Sequence, residues 1–261
     1  MFIARARYKA EEFDHVVVRC EEPYTYLYQD FANEIITYPT KNGHRDRWLY
    51  NGECPRYTDS VKAIHDRLKK EYGKVKLFFP TEDRCKRPEA KWFKYGQEPA
   101  TEDYDAVHSD IIIHARNLGK VRYDKINKIN RNWPREKWEV FAKASNVHKE
   151  VFCIGTTTGS IAVPGAHDHR GIELKELCNY LAHAKVVVGE SSGPMHLAML
   201  CGTPIVTWTH NIKEKSLNGH TNKWRYNEMC NPFKVPCTIL TKHGWNPTVQ
   251  EVVEATEKYP K

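Results

Sequence analysis

Short β-branched runs alternate along this chain with stretches whose apolar residues recur at helical spacing, a pattern that predicts βαβ units around a mainly parallel sheet. In the first part the runs place strands over 16–19, 35–38 and 75–79. Between them, 24–31 and 60–72 read as helices, the second with Val61, Ile64 and Leu68 on one face. From Thr81 to Ser109 charge, Pro and Gly dominate and few apolar positions are periodic, the composition of a linker. The chain therefore divides into a small N-terminal α/β unit over 1–105 and a larger one over 106–261.

The second part alternates more regularly. Strands are predicted over 110–114, 151–154, 185–188, 204–208 and 237–240, and helices over 134–145, 172–184, 194–201 and 247–259, the last with Val249, Val252, Val253 and Ala255 periodic. That is the element order of a doubly wound domain. No internal repeat and no low-complexity tract interrupts it.

Composition narrows the class. With 40% hydrophobic residues the 261-residue chain can build cores, and no run approaches the ~20 apolar residues needed to cross a bilayer. The start, Met1-Phe2-Ile3-Ala4-Arg5-Ala6-Arg7, lacks the apolar core and cleavage site of a signal peptide, so a cytoplasmic protein is expected, or one of the host cytoplasm if viral. The eight cysteines (Cys20, Cys54, Cys85, Cys153, Cys178, Cys201, Cys230, Cys237) are scattered and form no CxxC pair, which suits reduced, mostly buried thiols. A formal charge of +7 favours an anionic partner: a nucleotide diphosphate, an acidic lipid surface or a nucleic acid.

One turn carries candidate chemistry. Val186-Val187-Val188-Gly189 reads as a buried strand, and Ser191-Ser192-Gly193-Pro194 then opens a helix, with Ser as N-cap, Gly for close approach and Pro in the first turn. Free N–H groups and the positive dipole end make such a helix start an anion site, beyond the carboxyl ends of the strands where open α/β sheets bind ligands. His196 lies in that first turn, placed to donate to a phosphate oxygen or to lean on a neighbouring loop. Glu190 either holds a ribose or acceptor hydroxyl or points elsewhere.

The segment from Val188 to Ala198, Val188-Gly189-Glu190-Ser191-Ser192-Gly193-Pro194-Met195-His196-Leu197-Ala198, with Gly202-Thr203-Pro204 after it, resembles the donor motif of the ADP-heptose:lipopolysaccharide heptosyltransferases. Arg131-Asn132-Trp133-Pro134-Arg135-Glu136-Lys137-Trp138 is similar to the family's basic residue before an aromatic-Pro helix start. Ile111-Ile112-Ile113-His114-Ala115-Arg116 resembles the strand and phosphate-facing loop that open its donor domain, and Trp245-Asn246-Pro247-Thr248-Val249 resembles its last helix start. The resemblance implies a GT-B-like α/β fold, two Rossmann-type units with a shortened N-terminal one. It also implies a transferase with donor-binding residues Arg116, Arg131, Glu190, Ser191, Ser192, Gly193, Pro194, Met195 and His196. Arg131 would stand in for the family's phosphate-binding lysine, and Ser192, Gly193 and His196 for its Thr, Gly and His. The family's Asp of the Asp-Thr-Gly turn is Ser191 here, and its Gly-rich first loop with a catalytic carboxylate has no counterpart before Phe13-Asp14-His15-Val16, so no general base carries over.

Asp103-Tyr104-Asp105 matches a short DxD metal pattern but sits in a charged linker where chance produces it, and His167-Asp168-His169 lacks a partner pair at zinc spacing and reads as a loop bordering the donor. Between Arg116 and Lys137 the basic residues Arg116, Lys120, Arg122, Lys125, Lys128, Arg131, Arg135 and Lys137 face only Asp124 and Glu136, either a solvated loop, a flap over the donor or a track for a polyanion. Tyr123 and Trp133 either stack on a ligand or pack. The expectation is a metal-independent glycosyltransferase needing no cofactor beyond its nucleotide-sugar co-substrate, and the resemblance implies that it inverts the anomeric carbon. Its acceptor is a glycan or lipid-linked sugar; the alternatives are hydroxylated bases of viral DNA, or a nucleotide-sugar binder without turnover.

Overall fold

The computed structural model describes residues 10–38, 59–76, 110–117, 131–145, 150–214, 220–231 and 233–259. Contacts divide the chain into Phe2–Pro88 and Glu89–Lys261. This division and the expected one after residue 105 both fall in 77–109, outside the described residues, as does most of the expected strand over 75–79.

In the smaller unit β1 (Val17–Glu21) pairs in parallel with β2 (Glu34–Tyr38), Val17 opposite Glu34 and Glu21 opposite Tyr38. The connection is a 3₁₀ helix over Glu22–Leu27, where a longer helix over 24–31 was expected. The chain must return along the full length of β1 in few residues, and a 3₁₀ turn rises ~2.0 Å per residue against ~1.5 Å for an α-helix. Asn33 closes the loop by accepting from the Val16 amide through Oδ1 at 2.7 Å. The helix α1 spans Asp59–Tyr72, and Leu68 is buried on it as the apolar spacing requires.

The larger unit is built on one six-stranded sheet whose strands all pair in parallel. In chain order they are β3 (Ile111–His114), β4 (Val151–Cys153), β5 (His167–Asp168), β6 (Val186–Gly189), β7 (Ile205–Trp208) and β10 (Cys237–Leu240). A hairpin of β8 (Lys213–Glu214) and β9 (His220–Thr221) lies outside this sheet. In space the order is β10-β7-β6-β3-β4-β5. The chain winds outward from β3 in one direction through β4 to β5, then crosses back to β6 and winds the other way, the doubly wound arrangement expected from the element order. The central strands are buried along their whole length, which is why Ile-Ile-Ile and Val-Val-Val appear as unbroken apolar runs.

Alternate residues serve opposite faces. Ile111, Ile113, Val186, Val188, Val206 and Trp208 join Trp138, Phe141 and Ala142 of α2 (Arg135–Ser145) and Val252 and Ala255 of α5 (Val249–Glu257) in one core. Trp133 is 2% exposed and packs within 4.8 Å of Trp138 and 5.1 Å of Trp208, ring centre to ring centre, so of its two expected roles it takes packing. On the other face lie α3 (Leu174–His183) and α4 (Gly193–Leu200), which pack against each other. Five of the six described cysteines are buried and all six are free thiols. Thr248 starts α5 with a capping box, its hydroxyl accepting from the Glu251 amide while the Glu251 carboxylate accepts from the Thr248 amide.

Candidate functional site

The winding direction reverses between β3 and β6, and the crevice this opens lies beyond their carboxyl ends. In register, His114 closes β3 opposite Gly189, which closes β6. The chain beyond β3 runs through Ala115 and Arg116 and is pinned by a bridge from Arg116 to Ser160. Beyond β6 come Glu190, Ser191 and Ser192, then α4. The expected anion turn and the expected phosphate-facing loop are therefore neighbours at the switch point, though 78 residues separate Ser192 from His114 in sequence.

Ser192 occupies the N-cap position of α4 with extended backbone, but its hydroxyl makes no capping bond. This corrects the reading of Ser192 as a side-chain cap: its Oγ lies 2.9 Å from His114 Nδ1 instead. Pro194 has no N–H to offer, so Gly193 and Met195 supply the amides of the first turn, which have no intrahelical acceptor. A Cβ placed on Gly193 would meet nothing within 4 Å, so no neighbouring group crowds that side of the turn. The Met195 side chain, by contrast, is fully buried in the core.

Glu190 is turned into the fold. It is 0% exposed; Oε1 accepts from the Trp133 amide at 2.7 Å and Oε2 from the Arg116 amide at 3.2 Å. The indole N–H of Trp138 faces the same carboxylate without reaching hydrogen-bond geometry. Glu190 thus reaches loop amides, the alternative in which it points away from a ligand hydroxyl. Burial pushes its pKa up to about 7, against the downward pull of those amides.

Arg131 joins the same loops from outside. Its Nη2 donates to the Ser191 carbonyl at 2.7 Å, and its guanidinium lies over the Trp245 ring, 4.5 Å from the ring centre. Trp245, in the segment after β10, also meets His210 edge to face at 5.5 Å. Lys137 is held by Asn246 Oδ1 and the Pro247 carbonyl at 2.7 and 2.8 Å, and the Trp133 indole by Pro247 at 3.0 Å. Arg116, Arg131, Ser191 and Ser192 are thereby brought together around one helix start, Arg116 through its backbone amide and Arg131 through its guanidinium. His196, a turn into α4, stacks on Tyr226 at 5.1 Å and 16°. Burial, with Arg225 and Arg131 nearby, lowers its pKa to about 3, so the imidazole is neutral and donates from one nitrogen only.

Three contributors escaped the sequence reading: His114, Trp245 as the plate under Arg131, and Tyr226 under His196. His114 had a usable signal, since a polar residue ending a buried apolar strand in a doubly wound sheet lies at the ligand edge. Tyr226 had none, because it sits in a single π-helical turn, Arg225–Met229. The DxD pattern and the basic positions 120, 122, 125 and 128, with Tyr123, lie outside the described residues. His167-Asp168-His169, expected as a loop, is partly strand: His167 and Asp168 form the edge strand β5, and Asp168 holds Arg170 in an ion pair at 2.8 Å. Among the described residues no group of three or more His, Cys, Asp or Glu is placed to hold a metal. No described helix is long and apolar enough to cross a membrane.

The buried groups make a pH dependence. Burial and Arg116 lower the His114 pKa to about 4, so on acidification from 6.5 the unfolded chain takes protons at His114 and His196 that the fold refuses. Glu190 acts in the opposite sense, since the fold keeps between 4.5 and about 7 a proton that the unfolded chain releases; its stabilising effect is present at low pH and lost as pH rises through 7. With two groups against one, unfolding free energy in denaturant is expected to fall from pH 6.5 to 4.5, and more steeply in Glu190→Gln. A Glu190→Gln profile parallel to wild type would contradict the assignment.

Residues 124–232 match the family model of glycosyltransferase family 9 (heptosyltransferase). No curated protein matches the chain. Among solved structures, the ADP-heptose LPS heptosyltransferase II of E. coli is similar over 99% of this chain and 94% of its own, with 14% identity and a TM-score of 0.54. E. coli heptosyltransferase WaaC with ADP is similar over 97% of this chain and 76% of its own, at 12% identity and a TM-score of 0.40. The iron-containing dodecameric glycosyltransferase TibC of enterotoxigenic E. coli shares 22% identity over 44% of this chain, which spans 31% of TibC's length, with a TM-score of 0.32. The likeness to heptosyltransferase II supports the expected GT-B-like α/β fold.

Proposed function

We propose that this chain, heptosyltransferase-like in fold and matched by glycosyltransferase family 9 over 124–232, moves a sugar from a nucleoside-diphosphate donor to a hydroxyl of a glycan or lipopolysaccharide-type acceptor. The observation that carries the reading is the helix start beyond β6: uncapped amides of Gly193 and Met195 at the switch point, with the Arg131 guanidinium held beside them and the Arg116 backbone pinned next to the same loop. Departure of the diphosphate builds negative charge at one place, and fixed amides and guanidinium groups aimed there lower the barrier without reorganising. His196, neutral, contributes a single N–H. In this reading the reaction inverts the anomeric carbon, uses no metal and needs no cofactor beyond the nucleotide sugar. No described residue is assigned as general base. A cytoplasmic location goes with it, since the donor is a soluble anion.

The test is a melting-temperature panel of ADP-, GDP- and UDP-sugars, then mass analysis of products with glycan acceptors and, as a separate arm, hydroxymethylated DNA. A ligand at 100 times its Kd stabilises by about 2.7 kcal/mol, a readily measured shift. The double variant Ser192→Ala/His196→Ala is expected to weaken nucleotide binding by about tenfold or more, two hydrogen bonds to a charged group being lost. Binding without product from any acceptor would reduce the protein to a nucleotide-sugar binder. Turnover is expected to persist in chelator; loss of activity restored by manganese or magnesium would overturn metal independence.

A further inference from the structure

We propose that His114 is the positioning residue of the anion turn, donating Nδ1–H to Ser192 Oγ so that the Ser192 hydroxyl proton and the first amides of α4 all face the leaving diphosphate. The inference rests on the glycosyltransferase reading and deepens it.

An N-terminal serine with extended backbone ordinarily turns its oxygen onto the amide of the third helical residue, here Met195, and satisfies it. Ser192 has that backbone, with φ −155° and ψ 173°, yet caps nothing. Its oxygen is held 2.9 Å from an imidazole that comes from the far side of the crevice. The consequence is chemical: the amide a cap would have covered stays available to an anion.

His114 itself sits between two glycines. Gly155, just beyond β4, has φ +125°, and a Cβ there would lie 2.9 Å from His114 Cδ2 and 2.6 Å from Ser160 Oγ. Gly189 is the other, where a Cβ would come within 3.0 Å of the His114 carbonyl oxygen and 3.3 Å of its Cβ. Only residues without a side chain fit both places, so the strand ends on either side of β3 leave room for His114, Gly155 for its ring and Gly189 for its backbone and Cβ. His114 is 6% exposed and neutral, and a neutral imidazole carries one N–H. Were that proton on Nε2, Ser192 would have to donate its only proton to Nδ1 and would turn lone pairs toward a phosphate. With the proton on Nδ1 the chain of donors runs His114 to Ser192 to anion, each polarising the next.

Two measurements test this. First, ADP, GDP and UDP are titrated calorimetrically into wild type and variants. For whichever of them binds, His114→Leu is expected to weaken affinity by about tenfold or more, and His114→Asn, whose amide N–H takes the place of Nδ1–H, to recover most of it. In a Ser192→Ala background the same His114→Leu change is expected to alter affinity less than about twofold, because the relay is already broken. An equal loss in both backgrounds, or an asparagine variant no better than leucine, would overturn the assignment. Second, imidazole ¹⁵N shifts, assigned by the signal absent from His114→Asn, are expected to show the Nδ1–H tautomer in the unliganded protein; the Nε2–H tautomer would overturn it. This second measurement decides even if His114→Leu does not fold. It also decides if none of the three nucleotides binds wild type, a result that would defeat the donor reading instead.

Discussion

Arg131→Ala is expected to lower turnover by about 100-fold on the donor and acceptor pair identified by product analysis, with a smaller effect on nucleotide affinity. The guanidinium is held from two sides, by the Ser191 carbonyl at 2.7 Å and by the Trp245 ring at 4.5 Å, so its charge is fixed beside the helix start before any ligand arrives. A preorganised cation acts mainly on the charge that develops as the bond to the leaving diphosphate breaks, which is why kcat carries the larger part. Arg131→Lys is expected to recover part of the loss: it keeps the charge, but a point charge loses both the fork and the flat stacking on Trp245. Steady-state kinetics with unfolding midpoints as controls decide. Turnover near wild type in Arg131→Ala would remove this residue from the mechanism and leave it a loop tether.

Glu190→Ala is expected to cost about 3 kcal/mol of stability at pH 8, although it removes a carboxylate that burial disfavours. The opposing effects can be weighed. A pKa raised from 4.5 to about 7 corresponds to roughly 3 kcal/mol of relief when the ionised group is deleted. Against that stand the amides of Trp133 and Arg116, left buried without their acceptor at about 1–3 kcal/mol each, and the cavity left by the side chain at about 2 kcal/mol. Loss wins. Glu190→Gln is expected to fall between, because its amide nitrogen cannot accept and one of the two loop amides loses its partner. Urea unfolding of the three proteins tests the order; an alanine variant within 0.5 kcal/mol of wild type would show that the two loops do not depend on this carboxylate.

Much of the larger unit was readable because parallel strands buried on both faces leave unmistakable runs. Ile111–His114, Val186–Gly189 and Ile205–Trp208 fall within a residue of the expected strands, and the helices between them shift by two at most. Short edge elements escaped for the converse reason: β5 is two residues long, and its pairing with β4 comes from tertiary position rather than propensity. At the site, residue types announced anion chemistry but not its wiring. Ser192 looked like a cap because local geometry favours one, and only the register that sets His114 opposite Gly189 brings in the competing partner. For Glu190 the sequence left two alternatives open, a ligand hydroxyl or a direction elsewhere. Its direction is set by two amides 57 and 74 residues away, which no local pattern encodes.

The pair formed by Asp168 and Arg170 has a consequence for how the molecule behaves in a crowded solution. An open parallel sheet ends in a strand whose outer amides and carbonyls can recruit a foreign strand and seed aggregation. Here that strand is cut to two residues, and just past it Arg170 folds back, gripping both oxygens of Asp168 at 2.8 and 2.9 Å and the Ser160 carbonyl at 3.0 Å. An incoming chain would find a brief ladder that ends in a clasped pair of opposite charges. The edge beside β4 is thus closed to lateral growth.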